Sequence, residues 1–205
     1  MQKIAVVQGV PSAEIQALFR ELAAKADIVI ESYTPGTMAK WHIGYDDLVK
    51  VKPDIIYVAI SGFGQYGPLH TKKGFDPHAQ AMSGMMSVTG LPDGVPGGGP
   101  MKTGPSLADF MAGQFATAGI LAALYERDTF SGEGQHIDIA LLDCTIAAQS
   151  HYAETYLATG SVPQRRGTEG NGGLPSQAFA CADRDVIGIC GSEAQYRLFC
   201  GVLGH

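Results

Sequence analysis

The sequence predicts an α/β fold built on a doubly wound parallel sheet. Short β-rich runs alternate with helical patterns, and short turns containing glycine or proline connect them. One run, residues 55–60, is apolar throughout, which is typical of a central parallel strand buried on both faces. The chain has 205 residues, 45% of them hydrophobic, so it is long enough to bury a sizeable core.

The predicted strands are short runs of residues that favour β structure, and the predicted helices have an apolar residue every three or four positions. The predicted strands are residues 4–7, 28–31, 55–60 and 136–140, and a strand pair within residues 179–189 around Asp183. The predicted helices are residues 12–25, a short helix from near Tyr45, a helix from Asp76 and Pro77, residues 110–127, residues 141–157 and a helix from Ser192. In the first helix, Ile15, Leu18, Phe19 and Leu22 share one face. Asp76 is predicted to cap its helix, with Pro77 at the first helical position.

Two segments are predicted to be loops. Residues 91–105 are rich in glycine and proline, and loops of this length usually belong to function or to disorder. The composition shifts again at residues 159–175, which predicts a mobile linker or ligand loop. We therefore expect part of a large domain in residues 1–158, a linker with a glycine loop in 159–175, and the start of a small domain in 176–205. Because the sheet begins abruptly and the second unit ends after one helix, we expect an incomplete polypeptide.

Composition and charge exclude several classes of protein. A net charge of −6 without a run of lysine or arginine argues against nucleic-acid binding and a polybasic membrane patch. The four cysteines lack CxxC spacing, which predicts reduced core thiols in the cytoplasm rather than zinc ligands or disulfides. The histidines lack metal-site pairing, so no metal is expected. Neither a signal peptide nor a membrane-spanning segment is expected.

Asp109 is the candidate catalytic residue. It lies at a Gly/Pro-rich turn directly before the longest apolar helical run. A carboxylate at a helix start faces free backbone N–H groups and the positive end of the helix dipole, worth about 0.3–1 kcal/mol, which keeps a nucleophile ionised. An N-cap aspartate has the same geometry. The pattern alone leaves both interpretations open.

Residues 61–68 form the segment nearest to a phosphate-binding loop. Gly62, Gly64 and Gly67 have the GxGxxG spacing, but no helix follows them directly as the Rossmann fingerprint requires, and the segment does not match GxxxxGK[ST]. The glycines either let backbone approach a ligand or form a tight surface turn. The GxSxG elbow of serine hydrolases is absent from the chain.

Six ordered segments resemble the class III CoA-transferases, the CaiB/BaiF family that includes formyl-CoA transferase. They are residues 31–36, 61–68, 74–76, 80–84, 107–109 and 132–139. The resemblance extends from about Ile4 to the chain end. It implies a Rossmann-like large domain, a smaller second domain and, in the full-length protein, an interlocked homodimer. It also implies acyl-CoA and a small carboxylic acid as substrates, with no permanently bound cofactor.

The resemblance implies covalent catalysis by Asp109. In the family, the matching aspartate attacks an acyl-CoA thioester to give an acyl-aspartyl anhydride, and the released thiolate then forms an aspartyl-CoA thioester. The resemblance further implies CoA contacts at Ser32, Tyr33, Lys40, Lys73, Phe75 and Asp76, and a glycine loop over the site at Gly170, Gly172 and Gly173. Lys40 replaces the commoner arginine and so loses bidentate phosphate geometry.

Two alternatives accompany the transferase prediction. The same family contains α-methylacyl-CoA racemases, whose histidine base precedes the aspartate of the Gly-x-Asp motif. Here Phe75 occupies that position, which favours the transferase. The other alternative is a truncated, inactive CoA-binding remnant.

Overall fold

The centre of the fold is a four-stranded parallel sheet, which confirms the predicted α/β class. The computed structural model describes residues 4–5, 12–170 and 175–204. The strands are β1 (Ile4–Ala5), β2 (Ile28–Glu31), β3 (Ile56–Ser61) and β4 (His136–Ala140), in that spatial order. Residues 6 and 7 of the first predicted strand lie outside the described residues.

Helices connect and cover these strands. They are α1 (Ala13–Ala23), α2 (Thr37–Lys40), α3 (Tyr45–Leu48), α4 (Asp76–Met82), α5 (Met85–Val88), α6 (Leu107–Glu126), α7 (Leu141–Ala147), α8 (Ser150–Thr159) and α9 (Glu193–Leu203). A π-helical turn, Arg127–Ser131, continues α6. A separate antiparallel hairpin consists of β5 (Ser176–Ala180) and β6 (Asp185–Ile189). The sequence predicts a strand pair within residues 179–189, so β5 begins three residues earlier than predicted.

The sheet is buried on both faces, as the apolar run in β3 predicts. On one face, Tyr57 and Ala59 pack with Phe19 of α1 and Leu48 of α3. On the other face, Ile56 and Val58 of β3 pack with residues of α6. The side chains of β3 therefore alternate between two apolar layers.

Several element boundaries differ from the prediction. Helix α6 begins at Leu107, three residues earlier than predicted, and Ser106 occupies the N-cap position. Phe75, not Asp76, is the N-cap residue of α4, because the Asp76 side chain bonds elsewhere. The predicted helix 141–157 is divided into α7 and α8 near Gln149, whose amide donates to the Thr145 carbonyl at 3.1 Å.

Surface features also depart from expectation. Of the apolar face predicted for α1, Phe19 is buried, but Ile15, Leu18 and Leu22 are about half exposed. All four cysteines are free thiols. Cys144 and Cys190 are buried, whereas Cys181 is exposed and is not the core thiol that the sequence predicted.

One helical stretch of the described chain, residues 107–131, is long and apolar enough to cross a membrane by length and composition. Core helices meet the same criterion, and α6 packs against β3, β4, α4 and α7. The criterion therefore does not distinguish a membrane span from a core helix here.

Candidate active site

A cavity of about 410 Å³ opens where β2, β3 and β4 end. Its walls come from the segment after β2, the end of β3, the segment before α4, and the first turns of α6 and α7. The lining residues are Ser32, Tyr33, Thr34, Pro35, Ile60, Ser61, Gly62, Lys72, Lys73, Gly74, Phe75, Asp109 and Leu141. The carboxyl ends of parallel strands are where open α/β sheets bind ligands, and the volume suits a small-molecule site.

Most predicted site residues meet in this cavity. Ser32, Tyr33, Lys73, Phe75 and Asp109 all line it, although they come from three separate parts of the chain. The Phe75 side chain is 59% exposed, so its ring is available to a ligand.

Other predicted site residues lie elsewhere. Lys40 is exposed at the last position of α2 and does not line the cavity. Gly170 does not line it either, and its N–H donates to the Ser176 carbonyl at 2.7 Å. Gly172 and Gly173 lie outside the described residues.

Lys72 is a cavity residue that the sequence interpretation missed. It is exposed beside Lys73, so the two adjacent lysines place two cations at one wall. The signal was present as a pair of lysines directly before the Gly-Phe-Asp segment.

Asp109 is the third residue of α6 and is not its N-cap. Partial burial, and to a smaller extent the negative charge of Asp76, raise the pKa of the Asp109 carboxyl. Both effects act against the stabilisation of the charged form that is expected from the helix start. No hydrogen-bond donor among the described residues reaches this carboxylate, which leaves both its oxygens available to a substrate.

Asp76 lies behind the cavity, with a side chain only 4% exposed. Its Oδ1 accepts the backbone N–H of Ala108 at 2.9 Å, and both oxygens accept from Gln80 Nε2 at 2.9 Å. The Lys102 ammonium lies 3.5 Å from Oδ2. Asp76 thus satisfies a free N–H at the start of α6, directly beside Asp109, rather than capping its own helix.

Gln80 extends this contact to the loop before α6. The residue is fully buried, and its Oε1 accepts the Thr103 N–H at 3.0 Å and the Thr103 hydroxyl at 3.1 Å. Asp76, Gln80 and Thr103 therefore form a connected network that fixes the turn from which Asp109 projects.

Gly62 and Gly74 bring two backbone segments into direct contact at the cavity wall. A Cβ atom added to Gly62 would lie 2.4 Å from the Gly74 Cα atom, and one added to Gly74 would lie 2.7 Å from the Gly62 Cα atom. The Gly74 backbone thus fills the space beside Gly62, and this space does not accommodate a ligand. These glycines are required to join the loop 61–68 to the segment before α4.

A polar cluster lies on one face of the sheet beside the cavity. Glu31, Tyr57, His136 and Asp138 share this face, and Tyr57 donates to Glu31 Oε1 at 3.4 Å. Burial raises the pKa of Glu31 to about 7, with a smaller contribution from the negative charge of Asp138. Burial also raises the pKa of Tyr57 and lowers that of His136.

Glu31 should make stability depend on pH. Its pKa is about 7 in the folded protein against 4.5 for a free glutamate, so the folded state binds the proton more tightly. The free energy of unfolding should therefore decrease as the pH rises from about 4.5 to about 7. The decrease is at most about 1.4 kcal/mol for each pH unit. In Glu31→Gln this fall should be smaller when urea unfolding is compared at several pH values. Glu14→Gln, at an exposed position of α1, should keep the wild-type slope, and an unchanged slope in Glu31→Gln would contradict the assignment.

The described residues contain no group of three or more histidine, cysteine, aspartate or glutamate side chains placed to hold a metal ion. The groups that line the cavity include a carboxylate, two lysines and two aromatic rings.

The cavity thus contains a carboxylate, two lysines and two aromatic rings at the carboxyl edge of a parallel sheet. No hydrogen-bond donor of the described residues reaches the carboxylate. Residues 3–205 match the sequence profile of CoA-transferase family III, and the chain belongs to this family. It is 38% identical over 189 residues to acetyl-CoA:oxalate CoA-transferase of Acetobacter aceti, covering 92% of this chain and 48% of that protein. It is 39% identical over 202 residues to succinate–glutarate CoA-transferase of Agrobacterium fabrum, covering 98% of this chain and 49% of that protein.

A solved structure shares the fold. The crystal structure of a CaiB/BaiF family protein from Brucella suis superposes with a TM-score of 0.83 at 36% identity, covering 94% of this chain and 50% of that one. The chain therefore spans about half the length of the relatives it matches.

Proposed function

We propose that this protein transfers CoA from an acyl-CoA donor to a small carboxylic acid, with Asp109 as the covalent nucleophile. The observation that carries the proposal is the Asp109 carboxylate, which has no hydrogen-bond donor among the described residues and lines the cavity at the carboxyl ends of the strands. Family membership supports the reaction class, because both named relatives are CoA-transferases.

In the first half of the proposed reaction, a carboxylate oxygen of Asp109 attacks the thioester carbonyl carbon. The carbon–sulfur bond breaks, and CoA leaves as a thiolate while an acyl-aspartyl anhydride forms. The thiolate then attacks the aspartyl carbonyl of the anhydride. The donor acid leaves as a carboxylate, and Asp109 is left as an aspartyl-CoA thioester.

In the second half, the acceptor carboxylate attacks the aspartyl thioester and releases the thiolate again. The thiolate attacks the acceptor's carbonyl in the new anhydride, which yields the new acyl-CoA and restores the Asp109 carboxylate. No net proton, water or electron is consumed, so the reaction balances without a further reactant. Two anhydrides and one thioester divide a difficult exchange into easier steps.

The surroundings of Asp109 favour this chemistry. Partial burial and the nearby Asp76 raise the pKa of the carboxyl group, so its charged form is stabilised less than in water. Attack on the thioester moves this charge onto the departing thiolate. A carboxylate that is poorly stabilised loses less in that step, which makes it the better nucleophile.

The lysines and aromatic rings suit the CoA moiety. CoA carries three phosphoryl groups and an adenine ring, which lysine ammonium groups and aromatic faces bind in general. Lys72 and Lys73 supply the charges at one wall, and Tyr33 and Phe75 supply rings. We keep Lys40 as a proposed contact for a more distant part of CoA, since it lies outside the cavity.

Removing the cavity lysines should weaken CoA binding. Each of Lys72→Ala and Lys73→Ala should raise the Kd for CoA about tenfold, because each removes about one charge-assisted contact. Isothermal titration calorimetry measures this, and the loss should shrink as salt is added. Lys50→Ala is the matched control, because Lys50 is an exposed lysine paired with Asp47 outside the cavity. Equal Kd values in all three variants would exclude the two cavity lysines.

The proposed activity is tested by chromatography. The complete polypeptide that contains these residues is incubated with acetyl-CoA or succinyl-CoA and one dicarboxylic acid at a time, and new acyl-CoA products are separated. We expect a new acyl-CoA with at least one acceptor. Exchange of the α-proton of a 2-methylacyl-CoA with deuterated solvent, without any transfer, would identify a racemase instead. CoA binding without either reaction would identify a binding remnant.

Homodimer formation and a cytoplasmic location complete the proposal. Helix α6 exposes Phe110, Leu121 and Tyr125 at more than half of their surface, and such side chains are usually covered by another surface. Sedimentation of the complete polypeptide tests the dimer, and a sedimenting monomer would exclude it. Microscopy of a tagged protein in its own cell tests the location.

A further inference from the structure

Glu31 connects the sheet to one wall of the Asp109 cavity. It is the last residue of β2, and the wall segment 32–35 begins directly after it. Its Oε2 accepts the backbone N–H of Tyr33 at 2.6 Å, although the side chain is only 9% exposed. A buried carboxylate thus holds the backbone of a residue that lines the cavity.

The other oxygen of the same carboxylate faces β3. Oε1 accepts the Tyr57 hydroxyl at 3.4 Å, and Tyr57 is buried in the centre of the sheet. Strands β2 and β3 are paired in parallel with Glu31 opposite Ala59, so Tyr57 lies two residues earlier on the same face. The carboxylate therefore joins the wall segment to the rigid part of the fold.

Packing alone does not account for a glutamate at this position. The other residue of β2 on this face is Val29, and the residue of β3 that is paired with Glu31 is Ala59. Both are apolar and buried. No lysine or arginine of the described chain pairs with Glu31, and Asp138 adds a repulsive charge. Burying an uncompensated carboxyl group is unfavourable. The interaction that Glu31 makes in return is a short hydrogen bond from the Tyr33 backbone N–H.

We infer that Glu31 is a positioning residue for acyl-CoA, because it holds Tyr33 and the cavity wall 32–35 in the shape that binds the CoA moiety. The inference rests on the proposed function. Tyr33 itself packs edge-on against Trp41, with ring centroids 5.1 Å apart, so displacement of its backbone would also move this ring. Glu31 acts through the wall and does not touch the reacting atoms.

The test compares two side chains of similar length in the complete polypeptide. Gln retains an oxygen acceptor for the Tyr33 N–H, whereas Met has none. Glu31→Met should raise the KM for acyl-CoA about tenfold with kcat within about threefold of wild type, since a lost hydrogen bond of this kind is worth about 1.4 kcal/mol, or tenfold. Glu31→Gln should keep KM within about threefold of wild type. Tyr57→Phe removes only the longer bond to the sheet, at 3.4 Å, and should raise KM less than Glu31→Met does.

Hydrogen exchange gives a readout that does not require catalysis. The Tyr33 amide should exchange slowly in the wild type and in Glu31→Gln, and quickly in Glu31→Met. Equal KM values for the Met and Gln variants, or a Met variant with lower stability and an unchanged KM, would overturn the inference. If the Met variant does not fold, rapid exchange of the Tyr33 amide in the wild type would overturn it equally.

Failure of the proposed function has a different signature. It would appear as a wild-type protein that transfers no CoA to any acceptor. The exchange measurement at Tyr33 still decides whether Glu31 holds the wall in that case, and the Kd for CoA replaces KM in the comparison of the two variants.

Discussion

Replacing Asp109 by asparagine should reduce the kcat for CoA transfer by at least about 10³-fold. Removing a covalent nucleophile eliminates the whole reaction path, whereas most substitutions remove only a single contact. The side chain keeps its size, and an exposed amide on the third residue of α6 should leave the fold intact. An amide nitrogen and oxygen cannot form the mixed anhydride. The measurement is the initial rate of acyl-CoA formation at saturating donor and acceptor.

The matched control is Asp143→Asn. Asp143 is also an exposed acidic residue in the first turn of a helix, α7, but it does not line the Asp109 cavity. This variant should transfer CoA at the wild-type rate. Asp109→Glu adds one methylene and should also be severely impaired, since a displacement of about 1 Å costs about 100-fold. A fully active Asp109→Asn variant would refute the proposed nucleophile.

Replacing Asp76 by asparagine should affect both stability and catalysis. The oxygen of the introduced amide can still accept the Ala108 N–H, but its NH₂ group then faces the Gln80 amide and the Lys102 ammonium. Losing hydrogen bonds to a buried charge should lower the free energy of unfolding by about 2–3 kcal/mol, as urea denaturation measures. The start of α6 should shift with it, so kcat should fall by about 10-fold to 100-fold.

A double variant separates this network from a general loss of packing. In Asp76→Asn combined with Gln80→Glu, the carboxylate introduced at position 80 can accept from the amide introduced at position 76. It can also accept from Thr103, which donates to Gln80 Oε1 in the wild type. The pair then carries the same net charge with donor and acceptor exchanged, so stability should recover in part relative to Asp76→Asn alone. Wild-type stability in Asp76→Asn alone would contradict the role assigned to Asp76.

The strand positions were predictable because local sequence determines them. The apolar run at residues 55–60 is typical of a buried parallel strand and overlaps β3, and β2 is likewise short and mostly apolar. Strand β4 is indicated instead by alternating apolar and polar residues. Asp109 was also predictable as a residue of interest, because it lies between a Gly/Pro-rich turn and the longest apolar helix. These signals lie within a few residues of one another along the chain.

The electrostatics of the site were not predictable, because they depend on residues that are distant in sequence. Asp76 bonds to the backbone of Ala108, 32 residues away, and its charge raises the pKa of Asp109. The local pattern at the start of α6 indicated the aspartate as a possible cap, whereas Ser106 occupies that position. Lys72 was missed although it is adjacent to the predicted Lys73 in the sequence, and the fold places both lysines at the cavity wall.

The most direct measurement of the central claim is the intact mass of the protein after a brief incubation with acyl-CoA and rapid acid quenching. We predict a covalent adduct of one CoA, less one water, in the wild type, located on the peptide that contains Asp109. The adduct should disappear when a carboxylic acid acceptor is added, and it should be absent from Asp109→Asn. An adduct of the same mass that persists in Asp109→Asn would contradict the account.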